Sequence, residues 1–197
     1  STIWACSEMS ARVCVLGPSG RMGRALIDAA AGRNDEQIAA AVDRPDAPGL
    51  GAQVVADVTS TSDLAAGLAS VDVYIDFTAP AATRAAAQAA YAERRAAVIG
   101  TTGLSAEDEA ALARLADVAP IVVAANFSLG VNLVLGLVQQ AARALGPDWD
   151  AEVVETHHRA KRDAPSGTAL MIARAIAAGH GVDYDEVKRH TRDGDVG

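Results

Sequence analysis

The sequence of 197 residues carries 17 Lys and Arg against 25 Asp and Glu, for a formal net charge of −8, and half of its residues are hydrophobic. This excludes wholesale disorder and argues against a nucleic-acid binder working through overall charge. No apolar stretch nears the roughly 20 residues of a membrane span. Cys6 and Cys14 are too few for a disulfide framework, so with no secretory pattern a reducing cytoplasm is the expected setting.

Residues 1–10 (STIWACSEMS) show no clear period, and the ordered fold is expected to start near Ala11. Residues 12–16 (RVCVL) read as a strand, and Met22, Ala25, Leu26 and Ala29 fall at helical spacing over 22–31. Residues 38–42 (IAAAV) form a second predicted strand, closed by Asp43-Arg44-Pro45, and 54–58 a weaker third. A strong strand over 71–77 (VDVYIDF) leads into an Ala-rich helix over 80–94, with Pro80 well placed in its first turn. Strand 97–100 and helix 105–117 follow, with Ser105 as N-cap and Asp108 at N3. Strand 120–124 precedes a helix over 128–145 with apolar positions Leu133, Val134, Leu137, Val138 and Ala141, stopped by Gly146-Pro147. Residues 150–157 (DAEVVETH) alternate as a strand does, 166–178 read as a helix ending at Gly179, and the charged tail 182–197 reads as a loop. Strands alternating with helices of about 10–15 residues predict βαβ units and a parallel sheet.

Gly17-Pro18-Ser19-Gly20-Arg21-Met22-Gly23 lies between the first strand and the first helix. Small residues there let backbone N–H groups approach a pyrophosphate at a helix N-terminus, where the dipole favours anions. The spacing is G-x-x-G-x-x-G rather than G-x-G-x-x-G, and a Gly-rich turn alone is weak evidence. Asp43 strengthens it, standing at the end of the second strand and 20 residues after Gly23. Its carboxylate can accept from adenosine ribose hydroxyls, while Arg44 beside it can meet a 2′-phosphate. Phe77-Thr78-Ala79-Pro80, Gly100-Thr101-Thr102-Gly103 and Ala124-Ala125-Asn126-Phe127-Ser128 each follow a later strand. Ligands of open α/β sheets bind at those carboxyl ends. Ser128 reads equally as an N-cap and Phe127 as a cover over the core.

His157, His158, Arg159, Lys161 and Arg162 fall within six consecutive residues, a positive island in an acidic chain. Pro165-Ser166-Gly167-Thr168 opens a helix directly after them. Imidazole, ammonium and a helix N-terminus together suit a substrate with carboxylates and a proton transfer. A metal site at the two His is disfavoured, because neighbours on a strand face opposite ways and no Cys or carboxylate pair completes a shell. Arg162 reads as solvated surface.

GPSGRMG, FTAP, IGTTG, ANFSLGVN and ETHHRAKRDAPSGTA together resemble the 4-hydroxy-tetrahydrodipicolinate reductase (dihydrodipicolinate reductase) family, over about residues 11–178. The resemblance implies an α/β chain, with a Rossmann-like parallel-sheet dinucleotide-binding domain over 11–127 and a smaller α+β substrate domain over 128–197. Family members continue further, so the substrate domain is expected to be incomplete here, truncated at its C-terminal side. The implied activity reduces 4-hydroxy-tetrahydrodipicolinate to tetrahydrodipicolinate with NADH or NADPH, in the diaminopimelate route of lysine biosynthesis. The hydroxylated cyclic imine loses water, and ring carbon four takes up hydride. By resemblance Gly17, Gly20, Arg21 and Met22 line the pyrophosphate, in one loop with Pro18 and Ser19. Asp43 and Arg44 stand at the adenosine ribose. Gly100, Thr101, Thr102, Ala124, Ala125, Asn126 and Phe127 face the nicotinamide half. His157 carries over as the acid/base residue and Lys161 as proton donor. His158, Gly167 and Thr168 carry over as contacts to the dicarboxylate substrate. No metal, nucleic acid or membrane is implied, and the implied assembly is a homotetramer built through the substrate domain. Two rivals fit parts of the pattern. Another Rossmann dehydrogenase of an amino or oxo diacid shares the first site but gives no reason for HHRAKRDAPSGT. A non-catalytic nucleotide-binding fragment would bind cofactor without turnover.

Overall fold

The computed structural model describes residues 10–159 and 161–195. The chain forms two compact units that divide between Ala125 and Asn126.

The first unit opens with strand β1 (Ala11–Leu16), helix α1 (Arg21–Ala30) and strand β2 (Glu36–Val42). Strands β3 (Gln53–Val55) and β4 (Val58–Thr61) and helix α2 (Leu64–Ala69) follow. Then come β5 (Val73–Asp76), α3 (Pro80–Glu93), β6 (Ala96–Ile99), α4 (Ala106–Ala116) and β7 (Ile121–Val123). The sheet order is β3-β4-β2-β1-β5-β6-β7. Every pairing is parallel except the antiparallel β3–β4 edge. The chain therefore runs outward from β1 in one direction and then in the other. That leaves a switch point between the carboxyl ends of β1 and β5, where such sheets take ligands.

Both faces of this sheet are covered, which is why its strands read as apolar runs rather than alternating ones. On β1, Val13 and Val15 pack with Ile38 against Leu26, Ile27 and Ala30. Cys14 and Leu16 point the other way, into a core with Tyr74, Ile99, Leu112 and Leu115. Cys14 is fully buried, and burial pushes its thiol up to about 12. The small residues Ala86, Ala87 and Ala90 of α3 lie in that same core. Ser105 and Asp108 form the reciprocal cap of α4.

Some expectations are corrected. The single strand over 54–58 is a hairpin, because Asp57 takes a left-handed φ of 64° and turns β3 back on β4. Asp is among the few residues that tolerate that conformation. Helix α2 had no strong period to announce it. In α1 the inward face is Gly23, Leu26, Ile27 and Ala30, whereas Met22 is exposed. The helix is rotated because Gly23 lies against the loop that precedes it.

The second unit contains α5 (Leu129–Leu145), β8 (Asp163–Ala164), α6 (Gly167–His180), α7 (Tyr184–Val187) and β9 (Gly194–Asp195). Helices α5 and α6 pack closely at Gly179, where a Cβ would lie 2.6 Å from Ala142 Cβ and from the Gln139 carbonyl oxygen. Gly179 is therefore inside α6. The helix ends at Gly181, whose φ of 72° suits the left-handed cap. The expected apolar face of α5 is largely exposed at Leu133, Val134 and Leu137. Residues 150–157 form no strand, since the ladder in this unit, among the described residues, is the short antiparallel pair β8–β9. The tail is not wholly loop either, because it supplies α7 and β9.

Candidate active site

Local backbone chemistry builds the first half of the site. Gly17 has a φ of 68°, and an added Cβ would sit 2.9 Å from Thr78 Cγ2. Its N–H donates to the Val42 carbonyl at 2.8 Å, which ties the loop after β1 to the end of β2. A Cβ on Gly20 would approach the Gly17 carbonyl oxygen at 3.2 Å, and one on Gly23 at 2.1 Å. The glycines thus close a tight loop, with Pro18 buried and Gly20, Arg21 and Met22 exposed along its outer side.

Helices α1 and α3, which flank the switch point, start without a side-chain cap, at Gly20 and Ala79. The other described helices are each capped by a Ser or Asp side chain. An uncapped helix start leaves amide groups and a positive dipole end available to an anion, and α1 has no acid in its first turn to compete. This fits a pyrophosphate held by the backbone of 20–22.

Asp43 is already engaged. Its Oδ2 accepts from Ser19 N–H at 3.0 Å and from the Ser19 hydroxyl, and its Oδ1 accepts from Arg44 N–H at 2.9 Å. A carboxylate offers about four acceptor positions. One on Oδ1 is therefore left for a ribose hydroxyl. Ser19 is thus a brace between loop and carboxylate as well as a loop residue. Arg44 is exposed and pairs with Asp46 at 3.0 Å.

Beneath the next two turns lies a polar network that the sequence alone did not disclose. Asp76, at the end of β5, is fully buried. Its Oδ1 accepts from Thr78 N–H at 2.8 Å, from Thr78 Oγ1 at 2.6 Å and from Thr101 Oγ1 at 3.4 Å. Thr83 Oγ1 donates to Thr101 Oγ1 at 2.8 Å. The signal available was a lone acid inside VYIDF. The Thr101 hydroxyl, expected to face a ligand, is turned into this network, because burial obliges it to find partners. Thr101 therefore offers a ligand its backbone, while Thr102 is exposed. Gly100 admits the Phe77 ring, which would lie 2.0 Å from a Cβ there. Ala124 is held by its N–H to the Ile99 carbonyl at 3.0 Å, and Ala125 is exposed.

In the second unit Asn126 Oδ1 accepts from Ser128 N–H at 2.7 Å, and Ser128 caps α5 through Val131 N–H. Ser128 is thus the N-cap, and Phe127 is exposed. The basic block follows. His157 and His158 are exposed, and Lys161 is half-buried with its N–H donating to the His158 carbonyl at 3.1 Å. Gly167 and Thr168 occupy the exposed first turn of α6, whose N-cap Ser166 is buried. Arg162 is not simply solvated, because it forks onto Asp195 of β9 with bonds of 2.6–3.2 Å. The resemblance implies no role for Glu155 beyond its place in the motif. Its Oε1 accepts from Ser166 N–H at 2.7 Å, and its Oε2 lies 3.4 Å from His157 Nδ1. The Ser166 hydrogen bonds foremost, then the charges of His157 and Lys161, hold this carboxyl below its usual range. Among the described residues no three His, Cys, Asp or Glu side chains gather as a metal cluster would need.

Residues 11–127 match the N-terminal, and 130–196 the C-terminal, part of the family described as dihydrodipicolinate reductase. The chain belongs to the dihydrodipicolinate reductase family. Members use NADH or NADPH as reductant. The 4-hydroxy-tetrahydrodipicolinate reductase of Pseudoalteromonas translucida is 46% identical over 186 residues, covering 92% of this chain and 70% of that one. The enzyme of the same name from Alkalilimnicola ehrlichii is 44% identical over 196 residues, covering 96% and 73%. A dipicolinate-bound dihydrodipicolinate reductase structure from Paenisporosarcina sp. TG-14 superposes with a TM-score of 0.75 at 28% identity, covering 95% of this chain and 72% of that one. As a dihydrodipicolinate reductase family member, the chain is an NAD(P)H-dependent oxidoreductase of lysine and diaminopimelate biosynthesis. No helix among the described residues is long and apolar enough to cross a membrane.

Proposed function

We propose that this chain carries out the family's reduction of 4-hydroxy-tetrahydrodipicolinate with His157 and Lys161 as its proton-handling pair. One observation carries the assignment. Glu155 Oε2 stands 3.4 Å from His157 Nδ1 while its Oε1 accepts from Ser166 N–H, so imidazole and helix N-terminus meet at one carboxylate, with the ammonium of Lys161 in the same block. That combination suits a dicarboxylate that must also be protonated.

Gly17, Gly20, Arg21 and Met22 hold the pyrophosphate at the uncapped start of α1, and Asp43 takes a ribose hydroxyl. The turn at 100–102, with Ala124 and Ala125, holds the nicotinamide half. When bound, the reduced nicotinamide supplies the hydride, and the protein's share is position and charge. Lys161 Nζ and the first-turn amides of Gly167 and Thr168 hold carboxylate charge, with His158 as a further contact. Lys161 delivers a proton, and the more exposed His157 exchanges it with solvent. A homotetramer and a cytoplasmic location belong to this reading and rest on family membership.

Consumption of NADH or NADPH is expected to begin only when 4-hydroxy-tetrahydrodipicolinate is added. Cofactor binding with no turnover would leave the nucleotide-binding fragment as the better reading.

Asp43 and Arg44 together admit both cofactors. The ion pair of Arg44 with Asp46 is exposed on both sides and so holds Arg44 weakly. The guanidinium can leave Asp46 for a 2′-phosphate, a charge-assisted pairing. Arg44→Ala is expected to weaken NADPH by about 2 kcal/mol, roughly thirtyfold, and NADH little. Equal losses for both cofactors in a binding titration would refute the assignment.

A further inference from the structure

We infer that Glu155 is a positioning residue that orients His157 and fixes its tautomer; the inference rests on the acid/base role proposed for His157. Residues 151–158 form neither helix nor strand, so no backbone ladder holds the imidazole in place. What reaches it is a side-chain relay. Ser166 is 4% exposed and caps α6 by accepting from Ala169 N–H at 3.1 Å. The Ser166 N–H, rigid at this helix start, donates to Glu155 Oε1 at 2.7 Å. The other oxygen, Oε2, stands 3.4 Å from His157 Nδ1.

A carboxylate can only accept. Beside Nδ1 it selects the tautomer that carries its proton there, and it supports the imidazolium once a second proton arrives. Nε2 is then the nitrogen free to exchange protons. The Glu155 side chain is 28% exposed and that of His157 is 40% exposed. The carboxylate is thus the more covered of the two, and the imidazole is open enough to trade protons with solvent.

Glu155→Gln tests this, because the amide oxygen can still accept from Ser166 N–H while the charge beside Nδ1 is gone. In the full chain, kcat is expected to fall about tenfold or more, with the KM for NADH within about twofold of the parent. The double variant Glu155→Gln/His157→Ala should be no slower than His157→Ala alone. Glu155→Asp, which keeps the anion, should retain more turnover than Glu155→Gln. ¹⁵N NMR of the parent should show neutral His157 protonated at Nδ1, a readout that needs no variant to fold. A Glu155→Gln enzyme within about twofold of parental kcat overturns the inference while leaving the role of His157 standing. Losses that multiply in the double variant overturn it as well, since Glu155 would then act apart from His157. So would a parent imidazole protonated at Nε2. His157→Ala at parental turnover removes the proposed acid/base role itself, and this inference with it.

Discussion

Replacing His157 by alanine is expected to lower kcat by ~10²–10⁴-fold, the usual contribution of a general acid–base group, and to leave the KM for the cofactor near the parental value. The reason is local. His157 lies in the second unit, on an irregular segment anchored to α6, while the loop proposed to hold the pyrophosphate belongs to the first. Lys161→Ala should act differently, lowering kcat and raising the KM for the dicarboxylate together, because a charge partner and a proton source disappear at once. Arg162→Ala provides the contrast. Its fork onto Asp195 is exposed on both sides, and an exposed ion pair contributes roughly 0–1 kcal/mol. Turnover should be close to parental there. Steady-state kinetics of the three variants decide the matter. Parental kcat in both His157→Ala and Lys161→Ala would show that the basic block is not the active site.

How much of this was legible beforehand differs between the two units, for physical reasons. In the first unit, the central strands β1 and β5 carry buried or partly buried residues on both faces, and several element ends have their own local signal, so patterning and punctuation agree there. Ser105 with Asp108, and Pro80 at the start of α3, are cases where a local rule places an element end. The loop 17–23 was legible because the requirement is on the backbone itself. Asp76 was not, since its partners Thr78, Thr83 and Thr101 converge only once β5 and β6 are side by side. The period of α1 misled for a related reason. Met22 and Ala25 have the right spacing, but the closest approach belongs to Gly23, a residue that carries no hydrophobic signal.

In the second unit the alternation in DAEVVETH suggested a strand. A strand, however, is a pairing rather than a property of one segment. The relay from Ser166 through Glu155 to His157 escaped detection because it joins residues 11 apart through a side chain. Read linearly, Glu155 was one more acid beside a basic run. Read in place, it joins the start of α6 to His157.

Gly23→Ala should be the most damaging single methyl in the first unit. Its Cβ would lie 2.1 Å from the Gly17 carbonyl oxygen and 2.7 Å from Pro18 Cα, and both of those neighbours are backbone. A flexible side chain could swing away, but this loop cannot. Gly17 N–H is bonded to the Val42 carbonyl at 2.8 Å, and Ser19 N–H to Asp43 Oδ2 at 3.0 Å, so the far side is pinned to β2. Helix α1 must move instead, and with it Leu26, Ile27 and Ala30, which cover one face of the sheet. Overpacking of this kind costs about 3 kcal/mol. For a chain of this size that is roughly 6–12 °C of melting temperature. Displacing α1 also moves its uncapped N-terminus away from the proposed pyrophosphate site, so NADH affinity should fall with stability. Gly20→Ala separates the two effects. Its Cβ meets the Gly17 oxygen at 3.2 Å, close enough to need only a few tenths of an ångström of relief. That variant should melt within a few degrees of the parent while binding NADH more weakly, because the added methyl stands on the exposed side of the loop. A Gly23→Ala protein that melts with the parent would mean that α1 is not seated against the loop as described.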